Sequence, residues 1–140
     1  MSAFAWAALA ALIWGVVPLF EKLGLAHTKP LAGLFYRCVG VVIGFVVLTL
    51  FMVKPHELRS VGLRSALLLA LGGFLASFVA QICFYNGLKL GEMSRVVPIS
   101  ASYPFITFAI GVLLLGESLS LLKFGGVLLV VAGVWLIKLG

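Results

Sequence analysis

With 140 residues, 64% of them hydrophobic and only 10% charged, the chain has too few polar side chains to cover a water-soluble domain. Its net charge of +6 comes from ten basic residues scattered between apolar stretches, a placement expected beside membrane spans and unlike a nucleic-acid surface. Membrane lipid is the expected surrounding, and nucleic acid is not an expected partner.

A bilayer core about 30 Å thick takes about 20 helical residues to cross. Residues 1–20 carry no charge, which predicts a first span over residues 2–22. A cleavable secretory signal is the competing reading. It is disfavoured by the missing basic leader and cleavage site, and by Trp6, Trp14 and Pro18 inside the apolar run. Residues 31–53 are apolar apart from Arg37 and predict a second span. Residues 65–88 and 95–116 predict the third and fourth. The last charge-free run, 124–137, is short for a crossing. Lys123 and Lys138 bracket it and can extend their ammonium groups to the interface, which predicts a fifth span over 119–139. The connectors between these runs are too short to fold alone, so residues 1–140 read as one all-α transmembrane domain, a five-helix bundle. The runs are continuous rather than alternating, which excludes a transmembrane barrel.

The chain has no Asp, and its four acids, Glu21, Glu57, Glu92 and Glu117, lie in or beside connectors. His27 and His56 fall in different connectors, and no metal-ligand, phosphate-loop or nucleophile-elbow spacing occurs. Catalysis is therefore not expected, and neither is a cofactor or a metal. Cys38 and Cys83 lie inside spans without CxxC spacing and read as small core residues. Glu117 opens the last connector, where it can favour the positive end of the fifth helix.

Helices in lipid associate through small residues and interhelical hydrogen bonds. Gly33, Arg37, Gly40 and Gly44 share one face of the second span, and Gly72, Gly126 and Gly133 extend the pattern to the third and fifth. These glycines read as helix-packing positions. Polar residues inside the spans are the functional candidates, because each costs free energy unless it meets a partner or water. Gln81, Tyr85 and Asn86 give the third span a polar face. Arg37 lies about 9 Å into the second span at about 1.5 Å per residue, where it either reaches back to the headgroups or enters a cavity beside Tyr36. Pro98 and Pro104 interrupt the fourth span among Ser100, Ser102, Tyr103 and Thr107, freeing carbonyls as in interrupted transporter helices. Pro18 after Trp14 is a milder case in the first span. Glu21 follows an uncharged run and precedes Lys22, which places it near the interface; a coupling role is the alternative.

Taken in order, Trp14-Gly15, Pro30 then Arg37, Asn86-Gly87-Leu88, Pro98 then Pro104, Leu115-Gly116-Glu117, Gly125-Gly126 and Gly133 resemble the EamA repeat of the drug/metabolite transporter superfamily. The resemblance covers essentially the whole chain. It implies export or exchange of a small-molecule substrate by alternating access through a central cavity, in a prokaryotic cytoplasmic (inner) membrane. Full-length members carry two such repeats in opposite orientations, and this chain carries one.

Independently, Lys54, Arg59, Arg64 and Lys123 would lie on one side of the membrane, against Lys22, Lys29, Lys89, Arg95 and Lys138 on the other. Four against five gives no clear orientation, so copies inserted both ways are expected to meet as an antiparallel homodimer, or one copy to meet another half-transporter as a heterodimer. A lipid-carrier flippase subunit or small multidrug exporter, which commonly have four helices, and a non-transporting membrane assembly protein are the alternatives.

Overall fold

The structure, a computed structural model, describes residues 2–139, and every regular element among them is helical. Five helices are long and apolar enough to cross a membrane: Ala3–Leu25, Pro30–Phe51, Leu63–Leu90, Met93–Leu115 and Leu121–Leu139. The expected all-α architecture of five spans is present. By contacts the chain divides into two units, Met1–Leu90 and Gly91–Gly140.

In the first unit, α1 (Ala3–Leu25) starts where the Ser2 hydroxyl accepts the Ala5 N–H at 3.2 Å, satisfying one of the donors a helix start leaves open. It runs three residues past 22, the expected end, so Glu21 and Lys22 lie a full turn inside the helix rather than at its edge. Both find polar partners on a neighbouring helix. Pro18 is buried inside α1 and removes the hydrogen bond that the Trp14 carbonyl would otherwise accept. Helix α2 (Pro30–Phe51) begins with proline at its first position, where a missing N–H costs nothing. It stops two residues short of the expected 53. A separate short helix, α3 (Pro55–Ser60), follows in the connector, its start capped by Glu57 Oε2 accepting the Lys54 N–H at 3.1 Å.

The third span is α4 (Leu63–Phe74), a wide π turn (Leu75–Val79) and α5 (Ala80–Leu90). The Ala80 N–H donates to the Leu75 carbonyl, five residues back. Phe74 and Phe78 stack at 5.5 Å across this turn. The insertion interrupts the ordinary ladder and re-aims the side chains after it.

Little of this unit is buried: apart from Pro18, the buried residues are Leu25, Leu34, Tyr85 and Leu88, the last fully. There α1, α2 and α5 meet. Gly33 permits the approach, since a Cβ on it would stand 2.7 Å from Leu25 Cδ2. By contrast, Gly40, Gly44 and Gly72 have no atom within 4 Å of where a Cβ would lie. Apolar side chains on every span are exposed, as a surface against lipid requires.

In the second unit, the fourth span is broken, as its prolines lead one to expect, but the break lies ahead of Pro104 rather than at Pro98. Helix α6 (Met93–Ser100) carries Pro98 within it, and α7 (Pro104–Leu115) starts on Pro104. Residues 101–103 turn between them, and the Ser102 hydroxyl donates to the Ile99 carbonyl at 2.7 Å. Gly116 ends α7 in the left-handed conformation at φ 67°, which glycine adopts without a Cβ penalty. That reversal is why α8 (Leu121–Leu139) starts two residues later than the expected 119. Phe108 and Phe124 join α7 to α8 with ring centres 6.3 Å apart. Gly126 and Gly133 on α8 face open space within 4 Å.

Candidate functional site

The polar face expected on the third span exists, and its partner is an acid on α1. Gln81 and Tyr85 stand one turn apart on α5, so both point to the same side. Gln81 Nε2 donates to Glu21 Oε1 at 2.9 Å, and the Tyr85 hydroxyl donates to the same oxygen at 3.0 Å. Arg37 of α2 brings its Nε to 3.6 Å from that oxygen. The Glu21 side chain is only 10% exposed, so three helices converge on one carboxylate. Its apparent place at a connector is corrected by the structure: it faces the junction of α1, α2 and α5.

Arg37 is also anchored. Its guanidinium donates to the Ser77 carbonyl at 3.4 Å, within the π turn. Of the two placements open to Arg37, headgroups or cavity, the structure shows the cavity. Glu21, Tyr36, Arg37 and Tyr85 line a cleft of ≈ 460 Å³ whose other walls include Val17, Phe20 and Thr28. The arrangement pairs one negative with one positive group, so the charges offset each other while the unused guanidinium donors remain near the cleft. A carboxylate held by amide and phenol donors, next to a cation and an open cleft, can exchange these partners for a solute or a proton.

Two lysines frame this site. Lys22 of α1 donates to the Leu88 carbonyl near the end of α5. Lys89 of α5 donates to the Leu25 and Ala26 carbonyls at the end of α1, at 2.7 and 3.0 Å. Each helix thus caps the carbonyls of the other, where a cation also suits the negative end of the helix dipole. This reciprocal cap was not expected from the sequence; its only trace there is a lysine near the end of each run.

The remaining candidates divide. Tyr36 is exposed at the cleft, edge-on to Phe35 at 5.7 Å. Asn86 is exposed and donates to its own helix, to the Ile82 carbonyl at 2.8 Å, so it stands outside the cluster. The Trp14 side chain is exposed. Pro18 lies one turn before Glu21. Ser100, Tyr103 and Pro104 belong to the second unit, where Ser100 is exposed and Tyr103 and Pro104 line a separate cleft of ≈ 360 Å³ with Thr107, Phe108, Gly111 and Glu117. Glu117 does not sit at the start of α8: its carboxylate lies against Gly111 of α7, where a Cβ would stand 2.9 Å from Oε2. Among the described residues, no group of three or more His, Cys, Asp or Glu could hold a metal ion.

The EamA-like transporter family matches residues 1–139. The chain is 33% identical over 135 residues to an uncharacterized transporter from the cobO 3′ region of a Sinorhizobium species, covering 94% of this chain and 93% of that one. It is 26% identical over 134 residues to an uncharacterized protein of Methanocaldococcus jannaschii, covering 94% and 92%. An uncharacterized transporter of Archaeoglobus fulgidus is 23% identical over 128 residues, which are 91% of this chain and 45% of that protein. No solved structure matches the chain significantly.

Proposed function

Because the chain belongs to the EamA-like transporter family and is a multi-pass integral membrane transporter, we propose that it moves small metabolites or drugs by alternating access, as one half of a two-repeat machine. The observation that carries this reading is the Glu21 carboxylate, set inside an apolar span, held by Gln81, Tyr85 and Arg37, and open to a cleft. Ionisable residues inside spans are rare because they cost free energy, and those present mark solute or ion pathways. Glu21 is the group through which an ion gradient would couple, and Arg37 would attract an anionic part of the substrate. Tyr36, Gln81 and Tyr85 would line the pathway in the first unit, and Ser100, Tyr103 and Pro104 of the fourth span are the pathway candidates of the second.

The pathway is completed by a second repeat of opposite orientation, as inverted-repeat transporters require. Two relatives of one-repeat length and a third of about twice that length support this reading. The nearly equal flanking charge supports a homodimer, with copies inserted both ways. The apolar fifth span, Leu121–Leu139, favours this reading over the four-helix flippase subunit or multidrug exporter.

The test has two arms. A thermal-shift screen of a metabolite library in detergent selects a solute, and its counterflow is then measured in proteoliposomes. Glu21→Gln, Gln81→Leu and Tyr103→Phe are expected to slow it while the protein still inserts. Undiminished counterflow in all three removes the proposed pathway. Compartment-specific reporters on each terminus are expected to show both orientations. One orientation for all copies would leave only a heterodimer.

A further inference from the structure

The second unit holds a carboxylate that the proposed pathway does not use. Gly116, in the left-handed conformation, turns the chain back at the end of α7, and the Glu117 N–H donates to the Gly111 carbonyl at 3.0 Å. The same turn lays the Glu117 side chain along α7 at Gly111, a buried glycine whose missing Cβ leaves the space. A Cβ there would stand 2.9 Å from Oε2 and 3.1 Å from Cδ.

This carboxylate stands at the wrong end of a helix. The last carbonyls of α7 have no partner within the helix, and the dipole is negative there, so an acid is disfavoured and a cation favoured. Lys123 makes no ion pair with it; its Nζ donates to the carbonyl and hydroxyl of Ser118 at 3.1 and 3.2 Å. Among the described residues no side chain donates to the Glu117 carboxylate. It is exposed, and with Tyr103, Thr107 and Phe108 it lines the cleft of ≈ 360 Å³. That volume exceeds a bare ion and suits a small organic molecule. A carboxylate in such a cleft attracts a positive nitrogen through its charge, and the aromatic residues along the cleft offer apolar surface to the rest of the molecule.

We infer that this cleft is a second ligand site, which takes the ammonium group of an amine-bearing solute on Glu117 and its apolar part along the cleft past Phe108 toward Tyr103. The charge recognition rests on Glu117 held at Gly111 and does not depend on the role given to Glu21, although the cleft shares Tyr103 with the fourth-span part of the proposed pathway.

Isothermal titration of the full chain in detergent with 2-phenylethylamine tests it, with 2-phenylethanol as the uncharged probe of the same shape. The amine is expected to bind at least about tenfold more tightly than the alcohol, the ratio set by one charge-assisted hydrogen bond. Glu117→Gln and Gly111→Ala, each checked for folding by circular dichroism and gel filtration, are expected to weaken the amine by a similar factor. Glu57→Gln, in a connector of the other unit, is expected to leave the affinity unchanged. If either of the first two variants misfolds, the other carries the test, and the amine-to-alcohol ratio in the unaltered protein needs neither. Absence of amine binding, equal binding of the alcohol, or full affinity in folded Glu117→Gln would each overturn the inference.

Discussion

Replacing Glu21 with leucine removes the common acceptor of Gln81 and Tyr85 and leaves Arg37 facing apolar surface. Interhelical hydrogen bonds in lipid contribute about 0.6 kcal/mol each on average and about 1.7 at most, so the two together are worth about 1–3 kcal/mol. The Arg37 pair, 3.6 Å long and with its arginine 29% exposed, adds about 1 kcal/mol at most. Glu21→Leu should therefore cost about 2–4 kcal/mol. Glu21→Gln keeps an amide oxygen that can accept from both donors and loses mainly the attraction to Arg37, a cost of about 1 kcal/mol. Reversible unfolding in mixed micelles with increasing dodecyl sulfate, followed by circular dichroism, measures both. A double-mutant cycle of Glu21→Leu with Gln81→Leu should return a coupling of about 0.6–1.7 kcal/mol. The reasoning fails if the leucine and glutamine variants unfold at the same detergent fraction, because the hydrogen bonds would then contribute nothing.

Other perturbations separate the parts of the fold. Gly33→Leu should destabilise by about 1–3 kcal/mol through overcrowding against Leu25 and Tyr85, whereas Gly40→Leu and Gly44→Leu should leave the melting temperature of the monomer unchanged. Lys89→Met strips the cap from the Leu25 and Ala26 carbonyls and should cost about 1 kcal/mol; combined with Lys22→Met the loss should be non-additive, because both lysines hold the same pair of helix ends. Gly116→Ala forces a Cβ into the left-handed region and should lower stability by about 1–2 kcal/mol, read as a lower thermal midpoint.

The spans were legible because charge-free runs leave a helix in lipid few alternatives, and their ends moved by no more than three residues. The i, i+4 spacing of Gln81 and Tyr85 already placed both on one face of the third span. Glu21 was harder to read. Its neighbour Lys22 makes it look interfacial, yet Lys22 reaches across to the Leu88 carbonyl and the acid turns inward. The glycines show a different limit. Gly33, Gly40 and Gly44 look alike in sequence, but only the first lies where α1, α2 and α5 touch, and the level at which helices diverge is a property of three chains of contacts rather than one spacing. Residues 75–79 contain no residue type that marks a π turn, so nothing in the sequence announced it.

That turn has a consequence for how the chain can vary. Each residue added to or taken from a helix rotates everything beyond it by about 100°. Leu75–Val79 holds one residue more than an ordinary turn would, so the lower half of the third span is aimed by a count rather than by any particular side chain. Shortening this segment by a single position would swing Gln81 and Tyr85 toward lipid while leaving the composition of the span almost untouched. Deleting one residue between Gly73 and Gln81 is therefore expected to disturb the site more than replacing any one residue in between.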